Sequence, residues 1–172
     1  MDRIFVTSDL HLNHAMLVST GKRPFESIEG MNECIQKNWN NKVDCGDTIY
    51  NLGDVYFRRH EYPNGFRGRI VHIRGNHDKK SLSNIQNLII EWQGQEIEMV
   101  HNPIDATGKC KIILHGHLHI TGNHSLPNSK QVKPHIHIQG DYIFYNCNLE
   151  FHKYKPKALS EIIGEVLCYL KN

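Results

Sequence analysis

The chain has 172 residues, 39% hydrophobic and 22% charged, with a net charge of +2 when histidine is neutral. That size and balance suit one globular domain with a real core and exclude a disordered chain. The small charge permits a phosphate-bearing partner without demanding one, and no run approaches the roughly 18 apolar residues of a membrane span.

Ile4 to Thr7 is a short apolar run, read as a buried strand that stops at Ser8-Asp9. The N-terminus MDRIFVTSD enters this strand without an apolar leader, so no signal peptide is expected. A loop follows through Lys22-Arg23-Pro24-Phe25. Ser27 is a plausible N-cap for a helix with Ile28, Met31, Ile35 and Trp39 on one face. Gly46-Asp47 turns the chain into a second strand, Thr48 to Leu52, which stops at Gly53-Asp54. Pro63 and Asn64-Gly65 break any long helix before a third strand, Ile70 to Ile73. That strand ends at Arg74-Gly75-Asn76-His77-Asp78. A short helix is predicted next, with Leu82, Ile85, Leu88 and Ile89 facing inward.

Gln95 to Val100 alternates polar and apolar and stops at His101. Lys111 to Leu114 stops at the histidine run HGHLH, residues 115–119. The stretch 120–140 is basic (Lys130, Lys133) and is a candidate cover for a pocket. Asp141 to Glu150 reads as a further strand or hairpin arm. An amphipathic helix closes the chain, with Leu159, Ile162, Ile163, Val166, Leu167 and Leu170 inward and Ser160 as its cap. The organisation is α/β first and more antiparallel later. Five cysteines, an odd number with no C-x-x-C pair, argue against a disulfide scaffold or zinc finger. Reduced thiols and a cytoplasmic location are expected instead.

Histidine is the outlier, at 13 copies. Five apolar runs each end in a polar cluster: Asp9-x-His11, Gly53-Asp54, Gly75-Asn76-His77-Asp78, His101 and His117-x-His119. In open α/β sheets ligands bind beyond the carboxyl ends of the strands, so these clusters should converge. Nitrogen and oxygen donors without a thiolate suit Mn, Fe, Zn, Co or Ni better than Ca. Asp9, His11, Asp54, Asn76, His101, His117 and His119 are too many donors for one ion that keeps an open position. Two divalent ions about 3.5–4 Å apart, sharing a carboxylate, would use them all and would favour in-line hydrolysis at phosphorus.

In that order, D-x-H, G-D, G-N-H-D, H and G-H-x-H resemble the calcineurin-like metallophosphoesterase superfamily. Asn146-Cys147-Asn148-Leu149-Glu150, followed by Tyr154-Lys155-Pro156 and Leu159-Ser160-Glu161-Ile162, is similar to the tail of its small, uncapped prokaryotic and phage members. The resemblance implies a four-layer α/β/β/α sandwich forming one domain over 1–172. It implies two divalent ions, Mn first, with Fe, Zn, Ni and Co as alternatives. Asp9, His11 and His119 would hold one ion, Asn76, His101 and His117 the other, and Asp54 would bridge them. His77 would contact the phosphate and protonate the leaving oxygen. Asp78 would orient His77 by accepting its hydrogen bond.

The activity implied is phosphoesterase, a diesterase ahead of a monoesterase, through attack of a metal-bridging hydroxide. Its partner would be a phosphate ester, with nucleotides and nucleic acid among the candidates, and no membrane. Asn13 and His14 would line the substrate pocket, and Arg23 and Arg58 could pair with phosphate. His115 is expected to support the site or the core rather than to ligate. His60, His72, His124, His135, His137 and His152 are expected to be structural or exposed. Two other functions compete. A nuclease acting on DNA or RNA ends would use the same site, but the charge is small and no Lys/Arg stripe or aromatic platform is evident in the sequence. A non-catalytic protein-binding scaffold is opposed by the filling of every motif position, His77 included.

Overall fold

The computed structural model describes residues 3–57, 64–120 and 126–170. Two sheets lie face to face. The smaller holds β1 (Ile4–Thr7), β2 (Thr48–Asn51), β3 (Arg69–His72) and β10 (Lys157–Ala158), in the order β10-β1-β2-β3. Its first three strands are parallel, with Ile4 opposite Thr48 and Thr48 opposite Arg69. The larger holds β4 (Asn87–Trp92), β5 (Gln95–Val100), β6 (Ile112–His115), β7 (Lys130–Lys133), β8 (Ile136–Gln139) and β9 (Tyr142–Asn146), in the order β4-β5-β6-β9-β8-β7. Here β5, β6 and β9 run parallel and the flanking strands antiparallel. The helices are α1 (Ala15–Ser19), α2 (Ile28–Asn40) and α3 (Leu159–Leu170).

Strand alternation sorts the side chains into layers. Val6 faces inward with Leu52 and Ile73, meeting Ile97, Met99, Ile112, Leu114 and Tyr145 of the larger sheet. Phe5 and Ile49 face outward onto Met31, Ile35 and Trp39 of α2. Burial of each such side chain contributes about 1.5–3 kcal/mol. Ser27 caps α2 as expected, its Oγ accepting from the Gly30 amide at 3.0 Å. The α/β two-sheet sandwich is therefore the fold. Its outermost layer, over Val100, Ile113 and Phe144, is a single 3-10 turn (Pro103–Asp105) with Ala106, Leu118 and Leu126 rather than a long helix. The β5–β6 connection explains this, because it is short and carries Pro103 and Gly108.

Three local expectations are corrected. Residues 87–92 form strand β4, not a helix. Leu88 and Ile90 pack on the inter-sheet core while Ile89 is 39% exposed, a period of two that a short apolar run does not distinguish from a helical face. Ser160 lies inside α3, which begins at Leu159 directly after β10. Lys130 and Lys133 sit on the edge strand β7, paired with β8, and do not cover the strand ends. Residues 58–63 and 121–125, with Arg58, His60 and His124, lie outside the described residues. The five cysteines are all free thiols.

Helix α3 is tied to the strands through Glu165, whose carboxylate accepts from Lys157, from His135 at 3.1 Å and from Lys133 at 3.3 Å. Burial works against its ionisation, but the bonds from Lys157 and His135 win and hold its pKa at about 2. A depressed carboxyl stabilises the fold fully above its ordinary value and loses that contribution as pH falls. The thermal midpoint of Glu165→Gln should therefore lie below that of the parent at neutral pH. The gap should close as pH drops from about 4.5 toward 2; equal midpoints at neutral pH would show that the cluster contributes nothing.

Candidate metal centre

The carboxyl ends of β1, β2, β3, β5 and β6 converge, and the loops that leave them are sewn together by main-chain bonds. Asp9 N donates to Gly53 O, His11 N to Asp54 O and Leu12 N to Val55 O, each at 2.9 Å. The two sheets also meet here, with Leu149 N donating to Ser8 O, while Gly116 N donates to His101 O within the larger sheet. Asp9, His11, Asn13, Asp54 and His117 all take left-handed backbone conformations, with φ between 48° and 69°. Such positions cost on the order of 1–3 kcal/mol each and persist only where the surroundings enforce them. They swing successive side chains toward one point.

Each carboxylate uses one oxygen as a strut and aims the other at the centre. Asp54 Oδ1 accepts from the His77 amide at 2.9 Å, and Asp9 Oδ2 from the His117 amide at 3.0 Å. Asp54 Oδ2 then lies 3.4 Å from His101 Nε2 and 3.7 Å from His11 Nε2. Asp9 Oδ1 lies 3.6 Å from the Nε2 atoms of both His11 and His119. It is fully buried and has no hydrogen-bond partner. The approach is so close that a Cβ on Gly75 would collide with Asp54 Oδ1, and one on Gly116 with Ser8 and Asp9.

The imidazoles are turned by bonds behind them. His101 Nδ1 donates to Leu52 O at 2.8 Å, and His119 Nδ1 to Glu150 Oε1 at 2.8 Å. Both rings thus direct Nε2 inward. His11 and His119 bring Nε2 atoms within 3.2 Å of each other. Asn76 Oδ1 lies 2.8 Å from His101 Nε2 and 3.0 Å from His117 Nδ1. All seven expected ligands therefore meet. Two triads have donor atoms within 4.8 Å of one another: Asp9, His11 and His119, and Asp9, Asp54 and His101. Burial opposes ionisation of Asp9, yet the facing imidazoles of His11, His101 and His119 hold its carboxyl far below the usual range. His101 is buried too, but Asp54 and Asp9 raise its pKa to about 9. An unpartnered buried oxygen facing imidazole nitrogens, with no thiolate, fits a divalent cation.

The other expected residues divide. His77 is exposed, and its ring centroid stands 5.6 Å from that of His11. His14 is half-buried between His11 and Phe57, and burial lowers its pKa to about 4. Three assignments are corrected. Asp78 does not bond the His77 ring. It accepts from the amides of Asp54, Val55 and Gly75 and pairs with His72 at 3.0 Å, so it fixes the loops. Asn13 exchanges hydrogen bonds with Asn32 of α2, which occupies its amide oxygen at 2.7 Å. Arg23 is 1% exposed and cannot reach a substrate. Its guanidinium donates to Asp9 O at 2.6 Å, Leu10 O at 2.7 Å and Glu150 at 2.9 Å. His115 Nδ1 donates to Gly116 O at 2.8 Å; the ring is fully buried beside Phe144, and burial lowers its pKa to about 4, as for a neutral core histidine.

Glu150 is the residue that sequence reasoning missed. It holds His119, Arg23 and the Ile120 amide at once. The signal was available, because β9 also ends in a polar run, Asn146-Cys147-Asn148-Leu149-Glu150. A polar cleft of about 330 Å³, lined by Arg74, Lys80, Gln86 and Asn102, meets the centre at Asn76 and His101. A larger cavity of about 540 Å³ lies over the outer face of the six-stranded sheet and is lined by no histidine or carboxylate.

Fold and centre together define an α/β sandwich with a histidine–carboxylate site suited to divalent metal. By sequence the chain belongs to the family of the uncharacterized protein MJ1445 of Methanocaldococcus jannaschii. The two are 34% identical over 172 residues, spanning 95% of this chain and 90% of that protein. No protein-family model matches. The solved structure of AQ665 of Aquifex aeolicus, a protein of unknown function, has the same fold: TM-score 0.69 and 21% identity over 95% of this chain and 99% of that one. A predicted phosphoesterase of Streptococcus pneumoniae superposes more loosely, with TM-score 0.39 and 20% identity over 84% of this chain and 71% of that one. Among the described residues no helix is long and apolar enough to cross a membrane.

Glu150→Gln removes the charge behind His119 and keeps the shape. Metal affinity measured by competition with a chromophoric chelator should fall about 10- to 100-fold. Unchanged affinity would mean that His119 needs no partner to ligate.

Proposed function

We propose that the protein is a small, uncapped phosphoesterase of the calcineurin-like superfamily, one domain over 1–172, that uses two divalent ions, Mn foremost. The observation that carries this reading is the unpartnered Asp9 Oδ1 set between His11 and His119, next to a second cluster of Asp54, Asn76, His101 and His117. Bound there, the ions would supply Lewis acidity at the phosphate and an activated water.

The chain's own residues do the rest. Asp9 and His11 with His119 would hold one ion and Asn76, His101 and His117 the other; Asp54, whose Oδ2 lies near both His101 and His11, would serve both. Leu52 O and Glu150 keep the lone pairs of His101 and His119 on the metal side. His77 stands at the rim with its backbone anchored to Asp54. From there its imidazole can bond a phosphate oxygen and pass a proton to the leaving oxygen. Diesters are the preferred class on the strength of the resemblance to small uncapped members.

The test compares bis(p-nitrophenyl) phosphate with p-nitrophenyl phosphate in the presence of Mn²⁺. Metal-dependent cleavage of the diester should fall about a hundredfold or more in both Asp54→Asn and His77→Ala. Tight metal binding without turnover of either ester would replace this reading with the protein-binding scaffold.

A further inference from the structure

The polar cleft of about 330 Å³ opens directly from the centre, because Asn76 and His101 belong to its wall. A group held by those two residues already stands at its mouth. One wall is the segment between β3 and β4, with Arg74, Lys80 and Gln86; the other is the segment after β5, with Asn102 and Asp105. Bonds within the fold set both walls. Arg74 N donates to Ile85 O at 2.7 Å, Gly75 N to Asp78 at 2.8 Å and Ser83 Oγ to His72 O at 2.6 Å. Asn102 Oδ1 accepts from the Ile104 amide at 3.2 Å, which leaves its side-chain nitrogen free to donate.

Five arginines lie among the described residues, and four of them are engaged. Arg3 pairs with Asp44 and Asp47, Arg23 pairs with Glu150, Arg67 donates to Asn40 O and Arg69 to Thr48. Arg74 is the exception. It is half-buried in the cleft, and its guanidinium has no partner among the described residues. Lys80, exposed on the same wall, has none there either. Of the two carboxylates in the lining, Asp78 is spent on three amides and His72, which leaves Asp105. Two free cations thus face one free carboxylate. No large apolar side chain lines the cleft, so it offers nothing to an acyl chain or a stacked base. A small anion fits these donors, and a guanidinium matches phosphate oxygens two at a time.

We propose that the cleft is a second anion subsite, in which Arg74 and Lys80 hold a phosphate on the part of the substrate that stays bonded to the reacting phosphorus. His77, the proton donor to the leaving oxygen, does not line the cleft and stands instead against His11. The leaving group and the cleft are therefore on different sides of the centre. The substrate is then a phosphodiester whose retained group is itself phosphorylated. That assignment rests on the phosphoesterase reading; the holding of an anion by Arg74 and Lys80 does not.

The test uses two chromogenic diesters with Mn²⁺: the p-nitrophenyl ester of thymidine 5′-phosphate, and the same ester carrying a 3′-phosphate. Calorimetry with thymidine 5′-phosphate and thymidine 3′,5′-bisphosphate reads binding apart from turnover. The added phosphate should raise kcat/KM about tenfold or more, mainly through KM, and tighten binding by a similar factor. Arg74→Gln with Lys80→Gln should abolish both gains, and Arg74→Lys with Lys80→Arg should retain most of them. Lys37→Gln with Lys155→Gln, an equal loss of charge elsewhere, should retain them in full. A circular dichroism melt checks that each variant folds. Gains that are absent, or that survive the loss of Arg74 and Lys80, would overturn the proposal, while cleavage of the plain diester would still support the phosphoesterase reading. A binding gain lost in that variant, without cleavage of either ester, would keep the subsite and remove the phosphoesterase reading instead.

Discussion

Two carboxylates buried side by side repel each other and lose their hydration, and the whole site end of this protein is arranged around that fact. Asp9 and Asp54 sit on adjacent parallel strands, so the fold forces them together. Each is left half-satisfied: one oxygen is bonded to a main-chain amide and the other faces imidazole nitrogens. The imidazoles answer the charge only in part, because they bring neighbouring nitrogens within 3.2 Å of one another. A cation resolves both conflicts at once. The left-handed residues, the crowded glycines and the buried Arg23 then have one explanation, as the scaffolding that holds mutually repulsive groups in register.

Much of this was legible in the sequence, and the reason is geometric. In a parallel arrangement every strand delivers its last residues to the same edge, so polar clusters that follow apolar runs report a common place. That reasoning found seven residues that do meet. It also predicted α2 with its cap and buried face. It failed where the answer lay in a partner far along the chain. Arg23 reads as an arginine that could pair with phosphate until Glu150 appears 127 positions later. Asp78 reads as a partner for its neighbour His77, but the amides of the preceding strand's loop compete for it and win. The mistaken helix at 82–89 is a different failure, since eight residues are too few to separate two periodicities.

The placement of support also matters for how the site can vary. The proposed ligands stand on strand ends braced by main-chain bonds, whereas the polar cleft at Arg74 and Lys80 is carried by loops. Loops accept substitution more readily than a braced strand end. Chemistry and selectivity are thereby lodged in different parts of the molecule, so one can change while the other stays.

The bond between Arg23 and Glu150 has a consequence for the order in which the protein assembles. It ties the loop after the first strand to the segment after the ninth, and His11 meets His119 across 108 positions. Contacts so remote in sequence form slowly, because most of the chain must be in place before they can close. A nascent chain therefore has no centre to load until both sheets have docked. Once loaded, an ion that recognises only the finished arrangement would stabilise every element that had to arrive first.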